Sequence, residues 1–233
     1  MSQPHLNAIP TARSRVSIKT LAILAMLGAI SYVVMWLSKL IPPVLGFLQL
    51  DLKDTIICIG GFVFGPLAAA VISLLVSAVE FFTVSHTGPI GCVLNMLATT
   101  AFCCTASYVY KKKHTRGGAV LGLSLGIVVL TAVMLLWNYL ITPLYMPSFT
   151  REQIAAMLPT VFLPFNLLKG GLNMALILVV YKPVVNALRR IHLISESATP
   201  AQASGRKNAG FMLFAFALLA TMVAIVLVMT GVI

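Results

Sequence analysis

The sequence predicts an all-α polytopic membrane protein, a six-helix bundle followed by one extra C-terminal transmembrane helix. Three observations lead there. Of the 233 residues, 60% are hydrophobic and 9% charged, whereas an ordinary soluble domain is about 45–50% apolar and about 25% charged. The apolar residues fall in runs long enough to cross a bilayer core about 30 Å thick, which takes about 20 helical residues. The 16 Lys and Arg, which set a net charge of +11, sit in short clusters between those runs. That is the layout of the positive-inside bias rather than of a nucleic-acid footprint. Together these features exclude a soluble enzyme, a disordered tail and a secreted disulfide scaffold.

Residues 1–16 read as a polar, basic cytoplasmic segment. The apolar run that follows, 17–40, is long enough to span and is read as an uncleaved first transmembrane helix. The stretch 55–83 is too long for one upright helix and short for two. Gly60, Gly61, Gly65 and Pro66 lie in its middle. Pro66 cannot donate a backbone hydrogen bond and disfavours helix at the residue before it. Two helices are therefore expected, 54–64 and 66–83. Further spans are expected at 89–110, 119–146, 159–182 and 209–232.

Charge parity supports the split. With the amino end (Arg13, Arg15, Lys19) cytoplasmic, the run Lys111-Lys112-Lys113-His114-Thr115-Arg116 also falls inside, as do Lys182, Arg189, Arg190, Arg206 and Lys207. Twelve of the 16 basic residues are then cytoplasmic, and only Lys39, Lys53 and Arg151 are outside. A single span would put the Lys111 cluster outside, against the positive-inside rule. The resulting plan is a six-helix membrane domain at 17–190, a cytoplasmic linker at 191–208 rich in Ser, Ala, Gln and Pro, and an accessory helix at 209–233. The accessory span carries no charge, so it is expected to face lipid. The chain is placed in a cell membrane, multi-pass, with its amino end cytoplasmic.

Ionisable groups inside a membrane segment are costly and point to function. By depth, Glu80 lies near the outer end of the third helix and Asn95 about two turns into the fourth, about 3.6 residues to the turn. Asn138 is in the outer part of the fifth, and Asn166 and Lys169 in the outer half of the sixth. Asn166, Lys169 and Asn173 stand at i, i+3 and i+7, on one helix face. Lys169 is too deep to reach the outer surface by snorkelling. Glu80 reads either as a surface-level residue or as the partner of Lys169. The inner halves carry no comparable set, so a blind pocket open to the exterior is expected rather than a channel or proton relay. In the first outer loop Leu48, Leu50 and Leu52 alternate with Gln49, Asp51 and Lys53 after Pro42-Pro43. This strand-like pattern suits a lid with one apolar face.

Three small-residue pairs, Ala25/Ala29, Gly61/Gly65 and Gly122/Gly126, permit close helix approach. The two glycine pairs are read as internal packing. Cys58, Cys92, Cys103 and Cys104 lie in apolar runs without metal-ligand spacing and are read as buried thiols. The sequence lacks GxxxxGK[ST], HExxH and GxSxG patterns, so neither a P-loop nucleotidase, a zinc enzyme nor a serine hydrolase is suggested. No cofactor or metal is expected.

The chain resembles the substrate-binding S components of energy-coupling factor (ECF) vitamin transporters, and is most similar to the riboflavin-specific branch. The resemblance rests on Leu50-Asp51-Leu52-Lys53-Asp54, on Gly60-Gly61-Phe62-Val63-Phe64-Gly65-Pro66-Leu67-Ala68, and on Leu163-Pro164-Phe165-Asn166-Leu167-Leu168-Lys169-Gly170, the most specific of the three. Ala25 and Ala29 match the family's small-residue motif, the least specific part. The resemblance covers roughly 17–190 and implies a six-helix bundle with an outward pocket, the first loop as lid, and riboflavin as transported ligand. It implies that Asn166 and Lys169 hold the polar edge of the flavin, with Asn138 a further hydrogen-bonding position. Leu48, Phe165 and Trp137 are suited to pack on the ring faces, and Asn95 and Glu80 complete the candidate set. It also implies a transmembrane coupling protein facing Ala25 and Ala29, two cytoplasmic ATPases, and transport by toppling in the membrane. The helix at 209–232 departs from the six-helix pattern. An S component for another vitamin such as biotin, and a ligand-free membrane assembly subunit, stay open as alternatives.

Overall fold

The computed structural model describes residues 17–44, 48–84, 88–145, 148–190, 205–229 and 231. The expected amino-terminal segment, most of the linker and the tip of the first outer loop lie outside the described residues. The elements are α1 (Ile18–Ser38), α2 (Lys53–Phe64), α3 (Pro66–Thr83), α4 (Gly88–Lys112), α5 (Arg116–Tyr145), α6 (Arg151–Met157), a π-helical turn (Leu158–Phe162), α7 (Leu163–Arg190) and α8 (Gly205–Met229). Among the described residues six helical rods are long and apolar enough to cross a membrane: α1, α3, α4, α5, the α6–α7 rod and α8.

The break in 55–83 falls where the chemistry requires it. Gly65 has φ 97°, a conformation that an L side chain resists. Pro66 opens α3, where its missing N–H costs nothing. The two helices form an antiparallel hairpin. Lys53 at the start of α2 lies 3.1 Å from Glu80 near the end of α3, and Gly65 lies beside Lys111 at the other end of the bundle. With 12 residues, α2 is only about 18 Å long at 1.5 Å per residue. It is the innermost helix: Ile57, Cys58 and Ile59 are wholly inaccessible, and it touches α1, α3, α4 and α7.

Two glycines let α5 lie against α4. A Cβ at Gly122 would stand 2.7 Å from the Ala106 carbonyl oxygen, and one at Gly126 would stand 2.8 Å from that of Phe102. Close backbone approach through small residues is how membrane helices gain packing without a hydrophobic driving force between them. The first helix buries a stripe of Ile23, Leu27, Ser31, Met35 and Ser38, which leaves Ala25 and Ala29 on its exposed side.

The sixth span begins earlier than the sequence reading placed it, at Arg151 rather than 159. A capping box starts it: Gln153 N–H donates to Thr150 Oγ1 at 3.3 Å and Thr150 N–H to Gln153 Oε1 at 2.9 Å. Two prolines would then break an α-helix, but the chain widens instead. Leu163 N–H reaches back five residues to the Leu158 oxygen, and the helix continues through Pro164. Single π-turns of this kind often mark functional positions.

The C-terminal helix α8 lies along α7, with Met222 against Gly171 and Val226 among Phe165, Leu168 and Leu172. Leu213, Phe214, Phe216 and Val228 face outward, as expected of a lipid-facing accessory span. Cys58 and Cys103 are buried and Cys92 and Cys104 half-buried, all as free thiols. Among the described residues no group of His, Cys, Asp and Glu is placed to hold a metal ion.

Candidate substrate site

The π-turn delivers Asn166 and Lys169 to the bundle interior at the end where α1, α3 and α6 meet the loops. Asn166 Nδ2 donates to the Phe162 oxygen at 2.7 Å, which fixes the amide. Lys169, one turn further, is 6% exposed. Among the described residues its ammonium makes no hydrogen bond or ion pair, although its charge acts on Asp51 and Asp54. Asn173 is fully engaged. It accepts from Thr55 Oγ1 at 2.9 Å and donates to the Asp51 oxygen at 2.9 Å and the Lys169 oxygen at 3.1 Å. Asn173 thus clamps α7 to the loop and the start of α2, a structural role.

The polar side chains facing α7 form a buried ionic network. Lys53 Nζ binds Asp51 Oδ2 and, at 3.1 Å, Glu80 Oε2. Glu80 Oε1 takes Lys39 Nζ at 3.2 Å and Asn95 Nδ2 at 3.3 Å. Asp54 accepts from Thr99 Oγ1 at 2.6 Å, while its second oxygen is buried with no partner among the described residues. Burial opposes the charge of Asp51, but the ammonium groups of Lys53 and then Lys169 more than offset it and hold the carboxyl below its usual range. Three acidic side chains thus face three basic ones (Lys39, Lys53 and Lys169).

Two expectations change here. The alternation at 48–53 does not put Asp51 and Lys53 in water. The loop makes one antiparallel bridge, Val44 to Leu48 at 2.8 and 3.0 Å, and both charges turn inward, because each other and Glu80 offer partners that lipid does not. Glu80 pairs with Lys53 and Lys39 rather than with Lys169. The apolar face of the loop does form: Val44 and Leu50 are buried against Phe165, Leu168 and Leu172, with Leu48 half-buried at the edge. Phe165 therefore meets the loop. Asn138, buried on α5, donates to the Met134 oxygen at 2.8 Å and accepts from Thr142 Oγ1 at 3.0 Å.

Sequence reasoning passed over Asp51, Lys53, Asp54 and Lys39 as site residues. A signal was available: the chain has only five acidic residues, and three of them (Asp51, Asp54, Glu80) lie within 30 positions of one another around a glycine hinge.

A family model described as "ECF transporter, substrate-specific component" matches residues 19–181. The riboflavin transporter RibU of Staphylococcus aureus is 31% identical over 178 residues, covering 74% of this chain and 94% of that protein. The riboflavin transporter FmnP of Bacillus subtilis is 27% identical over 187 residues, covering 76% and 98%. A solved structure titled "Structure and mechanism of the S component of a bacterial ECF transporter" superposes with a TM-score of 0.62 at 29% identity, covering 74% of this chain and 98% of that one. The match takes in the hinge, the ionic network and the Asn166–Lys169 face, and this multi-pass membrane chain belongs to the family of substrate-specific components of ECF transporters.

Proposed function

We propose that this S component captures riboflavin on the side of the membrane where Asn166, Lys169 and Glu80 lie, with its amino end cytoplasmic. The observation that carries the reading is Lys169, a buried ammonium one turn from the Asn166 amide, with no direct partner among the described residues. A membrane protein retains such a group for a ligand or an ion path, and the polar set is confined to one end of the bundle. Riboflavin is neutral, which suits a site where acidic and basic side chains are equal in number. The uracil-like edge of its ring offers carbonyl oxygens to Lys169 and a donor–acceptor pair to an amide such as Asn166 or Asn138. Leu48, Phe165 and Trp137 supply apolar surface for the ring faces, and Asn95 and Glu80 border the same end. The names of the relatives, both riboflavin transporters, support this choice.

In this reading the domain 17–190 binds the vitamin and the segment at 191–208 links it to the accessory helix. A transmembrane coupling protein and two ATPases drive delivery by toppling the S component, with Ala25 and Ala29 against the coupling protein. The test is a fluorescence titration of riboflavin with the full chain in detergent. Saturable one-to-one quenching is expected. Lys169→Ala and Asn166→Ala should each weaken it tenfold or more, since a lost hydrogen bond to a charged group costs about 1.5–3 kcal/mol. Unchanged affinity in both variants would remove them from the site, and no quenching by the folded parent would exclude riboflavin.

A further inference from the structure

A second cavity, of about 140 Å³, opens at the other end of the bundle. Lys182 is sixteen residues beyond Asn166 on α7, roughly 24 Å along the helix at 1.5 Å per residue. The walls are aromatic: Phe62 of α2 stacks on Tyr110 of α4 at 4.4 Å, and the Tyr110 and Tyr181 hydroxyls are 2.8 Å apart. The lining is also basic: Arg116, at the first turn of α5, and Lys182, on α7, both line the cavity, and the charge of Arg116 acts on Lys182. No Asp or Glu is among its described lining residues. Phe211 of α8 closes the remaining side, with the Arg116 guanidinium 5.5 Å from its ring centre. The family match ends at 181, so α8, and with it this wall, is an addition to the common fold.

We propose that this cavity is a phosphate-ester site that holds the headgroup phosphate of an anionic membrane lipid. Arg116 and Lys182 bring two positive charges to the lining of one mostly aromatic and aliphatic cavity, and an anion held there gains from both. The first turn of α5 adds the positive end of a helix dipole. A cavity of about 140 Å³, close to the roughly 150 Å³ that holds a benzene ring, suits a phosphate and its first ester carbons. The level is that of the lipid headgroups, because Lys111 and Lys112 end α4 beside it. Basic pockets between transmembrane helices on the cytoplasmic side recognise lipid headgroups in this way.

The test is native mass spectrometry of the full chain released from detergent micelles with added dioleoylphosphatidylglycerol or dioleoylphosphatidylcholine. The parent should retain phosphatidylglycerol at least tenfold more tightly than phosphatidylcholine. Arg116→Gln with Lys182→Gln should erase that preference, and Arg116→Lys with Lys182→Arg should keep it. If the double glutamine variant does not run as a folded monodisperse species, Lys182→Met alone reads the same loss. Displacement of the lipid by millimolar glycerol 3-phosphate would support the phosphate-ester site and move its source to a soluble ester. Equal retention of phosphatidylglycerol by folded parent and charge-removed variants would overturn the proposal. So would a parent that shows neither lipid preference nor glycerol 3-phosphate binding.

Discussion

Lys53 is wholly inaccessible, and its ammonium is held by carboxylates from the loop and from α3. Such an arrangement is a poor source of net stability, since desolvation consumes most of the Coulombic gain. Its consequence is asymmetry: removing the cation leaves two carboxylates facing each other in a medium that cannot solvate them. Breaking a buried pair from one side costs about 3–5 kcal/mol, whereas removing both sides together is often close to neutral. Lys53→Met should therefore lower the thermal unfolding midpoint in detergent sharply. Adding Asp51→Asn and Glu80→Gln to it should recover most of the loss. A Lys53→Met chain with the parent's midpoint would show that the network carries no structural charge balance. Asp51 belongs to the loop, and its backbone oxygen is held by Asn173, so the residue that pairs with Lys53 also seats the loop against α7.

At the scale of the element, α1 has two unlike sides. One is the buried stripe from Ile23 to Ser38. The other is exposed and carries Ala25 and Ala29 one turn apart among Leu21, Met26, Ile30 and Val33. Large side chains around two alanines leave a shallow notch into which another helix can settle closely. If that notch receives the coupling protein, Ala25→Trp with Ala29→Trp should leave riboflavin titration unchanged and abolish uptake in cells. Normal uptake by the double variant would refute the docking role.

How legible each element was follows from where its signal lies. The α2–α3 break was visible because Gly65 and Pro66 act on their own backbone, and the glycines of α5 because close approach requires them whatever the partner. The early start of α7's rod was not, since its capping box precedes a Pro159–Pro164 pair that reads as a helix stop. The π-turn that absorbs it depends on a hydrogen bond five residues back. The Asn166–Lys169 face was legible from periodicity, but the partners of Glu80 were not. They are brought to it by the hairpin, and sequence spacing says nothing of which ends meet.

Across the whole molecule the two ends have opposite characters. One gathers Asp51, Asp54 and Glu80 with their cations around the proposed vitamin site, and the other gathers Lys111, Lys112, Arg116 and Lys182 around the second cavity. Among the described elements α8 lies wholly outside the family match and touches both ends, through Val226 near Phe165 and Phe211 beside Arg116. In water, stripping a helix from an apolar bundle would expose a large sticky face. In a bilayer, lipid tails are as apolar as the side chains they replace, so the helix gains only packing. The relatives match this chain over nearly their full length without drawing on the whole of it, which fits an α8 that is dispensable for the core. A chain ended after residue 190 should therefore insert, remain monodisperse, and bind riboflavin within about threefold of the parent, a difference under 1 kcal/mol. It should also lose the preference for phosphatidylglycerol over phosphatidylcholine, because the wall that closes the second cavity is gone. Intact lipid preference in that truncated chain would show that Arg116 and Lys182 need no aromatic wall. Lost riboflavin binding in a folded truncated chain would instead make α8 a structural part of the vitamin site, acting through Val226, Phe165 and the loop that Phe165 supports.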